Sequence, residues 1–210
     1  MKTPFTSEQF FSIFEQYNSA VFPAQLILFI LGLLALGLIH YQKPVKNGLI
    51  TGFLALLWLW IGIVYHISFF TSINKAAYAF GGLFILQGLF LIVELFRNKL
   101  EFSFTGKREA YVGYFFILFG LIIYPLIGYL LEGSSVRTIS VGLPCPTTIL
   151  TFGFFMLTSR QFPKYLLIIP TLWAIIGTAA AVNFGVYQDY LMPLAALIAD
   201  FYLMPRKKNI

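Results

Sequence analysis

The stretch RNKLEFSFTGKR, residues 97–108, decides how this chain folds. Arg97, Lys99, Lys107 and Arg108 outweigh Glu101 within it and Glu109 just beyond it. Apolar runs flank it on both sides, residues 76–96 and 110–131. Each reaches the roughly 20 residues that carry a helix across a hydrocarbon core. A short basic gap between two such runs is held on the cytoplasmic side of a membrane.

Outward from that gap, the apolar runs are 20–41, 48–70, 76–96, 110–131, 143–159, 164–184 and 187–204, so seven spans are expected. The gaps between them alternate in charge. Lys43, Lys46, Arg97, Lys99, Lys107, Arg108, Arg160, Lys164, Arg206, Lys207 and Lys208 fall in one set, and only Lys2, Lys75 and Arg137 in the other. This asymmetry puts the amino end outside and the carboxyl end inside. The expected fold is all-α, a polytopic helical bundle forming a single transmembrane domain over residues 1–210. Its longest external loop holds Glu132, Gly133, Ser134, Ser135 and Arg137. Span 143–159 lies near the lower length limit for crossing and is expected to dip or to start below the surface.

Composition agrees with this layout. With 59% hydrophobic and 10% charged residues and a mean hydropathy of +0.84, the chain cannot cover a soluble globule with polar surface. The lipid bilayer is the expected partner. The formal charge of +6 sits in the cytoplasmic gaps, where orientation explains it, so no nucleic acid partner is expected. Cys145 is the only cysteine, which rules out an internal disulfide. Residues 1–20 lack the charged-then-apolar order of a signal peptide, so the first span is expected to be retained.

Ahead of that span, Thr6 and Gln9 have capping-box spacing, and Phe10, Ile13, Phe14 and Tyr17 recur at helical intervals. A short interfacial helix over 6–18 follows. Glu8 and Glu15 argue against binding anionic lipid, so the helix should lie on the outer rim and brace the first span. Leu57, Trp58, Ile61 and Gly62 match Leu172, Trp173, Ile176 and Gly177 in spacing, and Gln42-Lys43-Pro44 echoes Gln161-Phe162-Pro163. Both echoes fit a 3+1+3 parallel repeat, the layout of sugar-conducting SWEET-type transporters. Gly48 with Gly52, Ala77 with Gly81, and Gly177, Ala181 and Gly185 are spaced for close helix approach.

Ionisable groups at membrane depth are the first functional suspects, and here the midplane is nearly empty of them. Glu94 and Asp200 fall near the cytoplasmic ends of their spans, where Arg97 and the basic tail can pair with them. Gln87, near mid-depth, suits an interhelical hydrogen bond. The outer half is richer. Tyr65, His66, Tyr124, Cys145, Thr147, Thr148 and Asn183 share one level and form the candidate ligand-binding set.

Pro146 suits a first helical position, leaving Cys145 near the cap of an embedded helix whose amides attract anions and lower a thiol pKa. Alternatively the prolines only start a helix and the thiol packs as a small apolar group. His66 is open to three roles: a pH-sensitive gate, a metal ligand shared with Cys145, or a structural histidine bonded to a carbonyl or to Tyr124. Many tyrosines and tryptophans need only the aromatic-belt explanation. No HxxxH, CxxC or HExxH spacing exists, so no metal and no cofactor are predicted. Span seven lacks a lysine for a retinal Schiff base, His40 and His66 lie on opposite faces, and no Gly-rich phosphate loop or GxSxG is present.

Pro4-Phe5-Thr6 with Gln9-Phe10, Tyr17-Asn18, Pro23-Ala24-Gln25, Trp58-Leu59-Trp60 leading to Val64-Tyr65-His66, Asn74 followed by Ala77-Tyr78, Gln87-Gly88, Tyr124-Pro125, Pro144-Cys145-Pro146-Thr147-Thr148 and Thr151-Phe152-Gly153 together resemble an uncharacterised bacterial family of small integral membrane proteins. That family is labelled a domain of unknown function and sometimes a permease. The resemblance implies a bacterial inner membrane and no established site or substrate. The leading expectation is a permease-like bundle that binds or passes a small solute or ion from the outer side, with proton coupling disfavoured by the empty midplane. A membrane sensor or accessory subunit, with a membrane-protein partner or a second copy of itself, is the alternative. A membrane enzyme with Cys145 as nucleophile and His66 as base is the third.

Overall fold

The computed structural model describes residues 5–158 and 162–204. The basic tail of Arg206, Lys207 and Lys208, together with Pro4, Ser159, Arg160 and Gln161, lies outside the described residues. The described chain is helical, with only isolated bridges such as Phe102 to Thr158 in place of a sheet. Four helices are long and apolar enough to cross a membrane: α3 (Val45–Ser72), α4 (Ala77–Arg97), α5 (Arg108–Glu132) and α7 (Lys164–Phe184). A fifth arises if α1 (Ser7–Val21) and α2 (Ala24–Leu38), bent by 84° at Pro23, are one broken span. The remaining helices, α6 (Pro144–Met156) and α8 (Leu191–Leu203), are shorter.

The outside of the bundle is apolar. Phe22, Leu34, Phe96, Ile175, Leu197 and Phe201 are among many large side chains left exposed, a surface that water would drive into aggregates and lipid would cover. The chain is therefore compatible with a membrane protein by the length and hydropathy of its helices.

α6 sits in the middle. Every residue of it except the half-buried Cys145 is buried, the pattern of a helix enclosed on all sides. It packs against α3, α5, α7 and α8. Contact with α5 is backbone on backbone: a Cβ on Gly153 would meet the Gly113 carbonyl at 2.6 Å, and one on Gly120 the Pro146 carbonyl at 2.6 Å. At 13 residues, α6 spans about 20 Å, less than the roughly 30 Å of a hydrocarbon core. Other segments fill the difference. Below its carboxyl end the basic loop tucks in Leu100 and Phe102, tied by Phe102 N–H to Asn47 Oδ1 at 3.0 Å and by Ser103 N–H to the Leu157 carbonyl at 2.8 Å. Above its amino end lie α1 and residues 139–143.

α1 begins with the expected capping box. Thr6 Oγ1 accepts from the Gln9 amide, and Gln9 Oε1 from the Thr6 amide. Its buried face is Phe10, Ile13, Phe14, Tyr17 and Asn18, but it does more than brace the first span. Tyr17 Oη donates to the Gly142 carbonyl and accepts from Trp60 Nε1, and Asn18 Nδ2 donates to the Val136 and Thr138 carbonyls. Arg137 donates to Glu8 at 2.9 Å and to Glu15 at 3.1 Å. Those bonds, Glu8 first, hold its guanidinium pKa above the ordinary range. The two acids that argued against anionic lipid thus clamp the long loop over the bundle end.

Two of the long helices widen into π turns, at Ile61–Phe69 in α3 and Phe119–Ile123 in α5. In α5 the cause is local: Pro125 has no N–H to give the carbonyl four residues back, so the turn before it loosens. The π turn of α3 carries Tyr65 and His66, and that of α5 ends at Tyr124. Of the proposed packing motifs, Gly81 does mediate a close crossing, since a Cβ on it would sit 3.0 Å from the Gly62 carbonyl, and Ala77 is buried on the same helix. Gly48 and Gly52 do not: only Leu95 comes within 4 Å of a Cβ at Gly48, and nothing at Gly52. Gly185 serves instead as the left-handed cap of α7, with φ +72°.

Candidate functional site

At the α1 end of the bundle is a cavity of about 200 Å³. Exposed Ala179 and Asn183 form its rim, and buried Tyr65, His66, Trp173 and Asp189 its depth, with Cys145 half-buried between them. Phe5, Phe10 and Phe14 roof it from the α1 side. An engineered apolar cavity of about 150 Å³ takes up benzene, so the space suits a molecule of about that size.

His66 is the least satisfied group in the wall. It is fully buried, ringed by Tyr65, Phe70, Phe80, Phe84 and Trp173 at centroid distances of 4.8–6.0 Å. Neither ring nitrogen has a hydrogen-bond partner. The reading of His66 as a histidine bonded to a carbonyl or to Tyr124 is therefore corrected: five aromatic rings surround it and its remaining neighbour is the cavity. Trp173 Nε1 has no oxygen or nitrogen partner and meets at most the Cys145 sulfur, a weak acceptor.

Asp189 was missed in the sequence. It lies in the single 3-10 turn Tyr187–Tyr190 that leads into α8, and is 3% exposed. Tyr124 Oη donates to its carboxyl, and the Cys145 thiol stands beside it. An acid in a Tyr-Gln-Asp-Tyr segment at the head of an apolar run looks solvated. Its partners, Tyr124 and Cys145, come from other helices. The near-empty midplane inferred from sequence thus overlooked a buried carboxyl close to the candidate residues.

Around Cys145 the geometry differs from expectation. Helix α6 begins at Pro144, with Leu143 as the cap at φ −112° and ψ 156°, so Cys145 is inside the first turn. Pro144 and Pro146 supply no N–H there, and Asp189 faces the thiol. An anion has few donors and an adverse neighbour, which removes the basis for an anion-binding, thiol-activating helix end. Thr147 and Thr148 are fully buried and face away from the cavity lining. Thr147 Oγ1 accepts from the Gly142 amide, and Thr148 Oγ1 donates to the Pro144 carbonyl.

Of the candidate set, then, Tyr65, His66, Cys145 and Asn183 line one cavity, Tyr124 holds its acid, and Thr147 and Thr148 hold the helix behind it. Two of the three tryptophans are core residues and not part of an aromatic belt: Trp58 is fully buried, donating from Nε1 to Thr151 Oγ1, and Trp173 is 8% exposed. His40, at the basic end, bonds Tyr114 at 2.6 Å. A Cys145–His66 catalytic pair is not formed, because no atom hydrogen-bonds to the imidazole. Among the described residues no group of three or more His, Cys, Asp or Glu could hold a metal ion.

Toward the basic end, two expectations hold. Glu94 pairs with Arg97 at 3.3 Å, and Gln87 Nε2 bonds across to the Leu166 carbonyl at 3.0 Å. Glu94 also accepts from Tyr165 Oη. Asp200 accepts from Thr171 Oγ1, while the basic tail proposed as its partner lies outside the described residues. No curated protein and no solved structure matches the chain. Residues 7–209 match a family of unknown function, DUF6064, and the chain belongs to that family.

Proposed function

We propose that this chain is a membrane-embedded binding protein whose α1-end cavity takes a small, largely apolar solute bearing one hydrogen-bonding group. The observation that carries this reading is the pair of unpaired groups at one wall, the His66 imidazole and Trp173 Nε1, inside a space of about 200 Å³. Buried polar atoms without partners are costly, and a ligand offering a donor and an acceptor would satisfy both. No lysine or arginine lines the cavity and Asp189 does, which disfavours an anion.

In this reading the chain makes seven passages, amino end outside. The cavity draws on the end of α3 with the start of α4, on the start of α6, and on the end of α7 with the turn before α8, ends that alternating passages would bring to one side. The short α6 is wrapped by protein and need not match the bilayer. The solute enters from the outer side, and onward release inward would make the protein permease-like. Binding is tested in detergent with a panel of small phenols, amines and alcohols, read by tryptophan fluorescence. The reading predicts saturable binding that His66→Phe and Trp173→Phe weaken. Equal response of both variants and wild type, or no response to any of the panel, would remove it.

A second reading is favoured by a different observation. Gly48 and Gly52 border an open apolar groove with Leu31, Leu34, Leu38 and Leu56, the form of surface that accepts a neighbouring helix. An accessory subunit would use it. A stoichiometric membrane partner lost on Gly52→Leu would support that role.

A further inference from the structure

Asp189 lines the α1-end cavity without a cation beside it. Its carboxyl is met by two neutral donors, the Tyr124 hydroxyl and the Cys145 thiol, and no lysine or arginine lines the space. Among the described residues, the ion pairs join Glu94 to Arg97 and Glu8 and Glu15 to Arg137, and Asp189 enters none of them. Two donors suit an ionised carboxyl, which only accepts. A carboxylate withdrawn from water is costly unless a positive charge comes with it, and here the protein supplies none. The open side of the acid is the cavity.

Other polar groups around the same space also offer acceptors. The His66 imidazole is fully buried with neither nitrogen bonded, and whichever nitrogen carries no hydrogen is free to accept. At the rim, Asn183 uses Nδ2 on the Ala179 carbonyl and keeps its amide oxygen. Tyr65 borders both deeper groups, its ring 5.1 Å from the imidazole and its hydroxyl within electrostatic reach of Asp189. Between these polar atoms the wall is aromatic, built from Tyr65, Phe70, Phe80, Trp173 and Phe184. Aromatic faces are negative and attract a cation within about 6 Å, more strongly where water is excluded. Acid, acceptor and rings all favour positive charge.

We infer that the α1-end cavity selects a small organic cation, a protonated primary amine on an apolar body about the size of benzene. Its ammonium brings Asp189 the counter-charge that the protein withholds, with the His66 imidazole as a second acceptor, while the aromatic wall encloses the body. This rests on the binding reading above and narrows it, from any small solute with a hydrogen-bonding group to one that is positively charged. The size follows from the space of about 200 Å³.

The test is a series of similar size and different charge, benzylamine, benzyl alcohol and benzoate, titrated calorimetrically against the protein in uncharged detergent with empty micelles as the blank. At about pH 7 the amine is protonated. Benzylamine should bind saturably and about tenfold tighter than benzyl alcohol, and benzoate should not bind. The chain's net charge of +6 would draw the anion first, so a preference for the amine reports the cavity. Asp189→Asn keeps an acceptor for Tyr124 and should bring benzylamine down to the level of benzyl alcohol, whose own affinity stays within about twofold. If that variant does not elute as monodisperse protein, the wild-type series decides. Benzyl alcohol binding as tightly as benzylamine, or an amine preference that survives Asp189→Asn, overturns the selection of a cation and leaves the binding reading standing. No saturable binding by any of the three also overturns it, and the same silence across the wider panel removes the binding reading.

Discussion

Around α6, each buried threonine has its hydrogen bond: Thr147 with Gly142, Thr148 with Pro144, Thr151 with both Thr147 and Trp58. In the wall formed by His66 and Trp173, neither imidazole nitrogen is paired and Trp173 Nε1 meets at most a sulfur. Both regions are buried, but the second borders a cavity and its polar atoms lack strong partners. In the first, backbone and hydroxyl groups lock a short helix against its neighbours, and glycines bring α5 to within backbone contact. In the second, π-turn geometry presents an imidazole to a hollow. Satisfied polar groups mark scaffold; unsatisfied ones beside a cavity mark the place where something else is meant to bind.

The strongest way to break this contrast is at the scaffold. Gly153→Val puts two methyl groups beyond a Cβ that already meets the Gly113 carbonyl at 2.6 Å. Backbone cannot move aside as a side chain can, so the loss should exceed the roughly 1–3 kcal/mol of ordinary overpacking. No monodisperse protein should be recovered. Next is Tyr124→Phe, which strips the Asp189 carboxyl of its donor. It should cost about 1–3 kcal/mol, read as a lower thermal midpoint in detergent, with Asp189→Asn on the same background restoring part of the loss.

The tryptophans give a sharper comparison of smaller size. Trp58→Phe breaks the 3.0 Å bond to Thr151 and should cost about 1 kcal/mol in its hydrogen bond alone, plus lost packing. Trp173→Phe removes an N–H that meets at most the weakly accepting Cys145 sulfur, so it should change solute binding more than the thermal midpoint. Equal destabilisation by both would erase the distinction between the two regions. Smallest of all, Gly52→Leu meets open space and should shift stability by less than about 0.5 kcal/mol.

Much of this architecture was legible in the sequence. The apolar runs, the capping box at Thr6 and Gln9, the Glu94–Arg97 pair and the Gln87 cross-link follow from spacing along one helix or from charge placement. Which end of its helix each residue occupies was legible too, and Tyr65, His66, Cys145 and Asn183 do line one cavity. Azimuth was not. Thr147 and Thr148 turn inward because two helices approach through glycine, a contact that hydropathy does not encode. Asp189 is paired from Tyr124, 65 positions away. A tyrosine-flanked acid opening an apolar run was the one available signal. The π turns, which rotate His66 and Tyr124, have a visible trigger only at Pro125.

The single cysteine offers the most direct test of the central claim, that a cavity at the α1 end opens to the outer side of the membrane. In sealed right-side-out vesicles, a charged, membrane-impermeant methanethiosulfonate should modify Cys145 from outside, with His66→Trp, which fills the cavity, slowing the reaction. Modification only after the vesicles are opened, or none at all in the unfilled protein, would contradict the account.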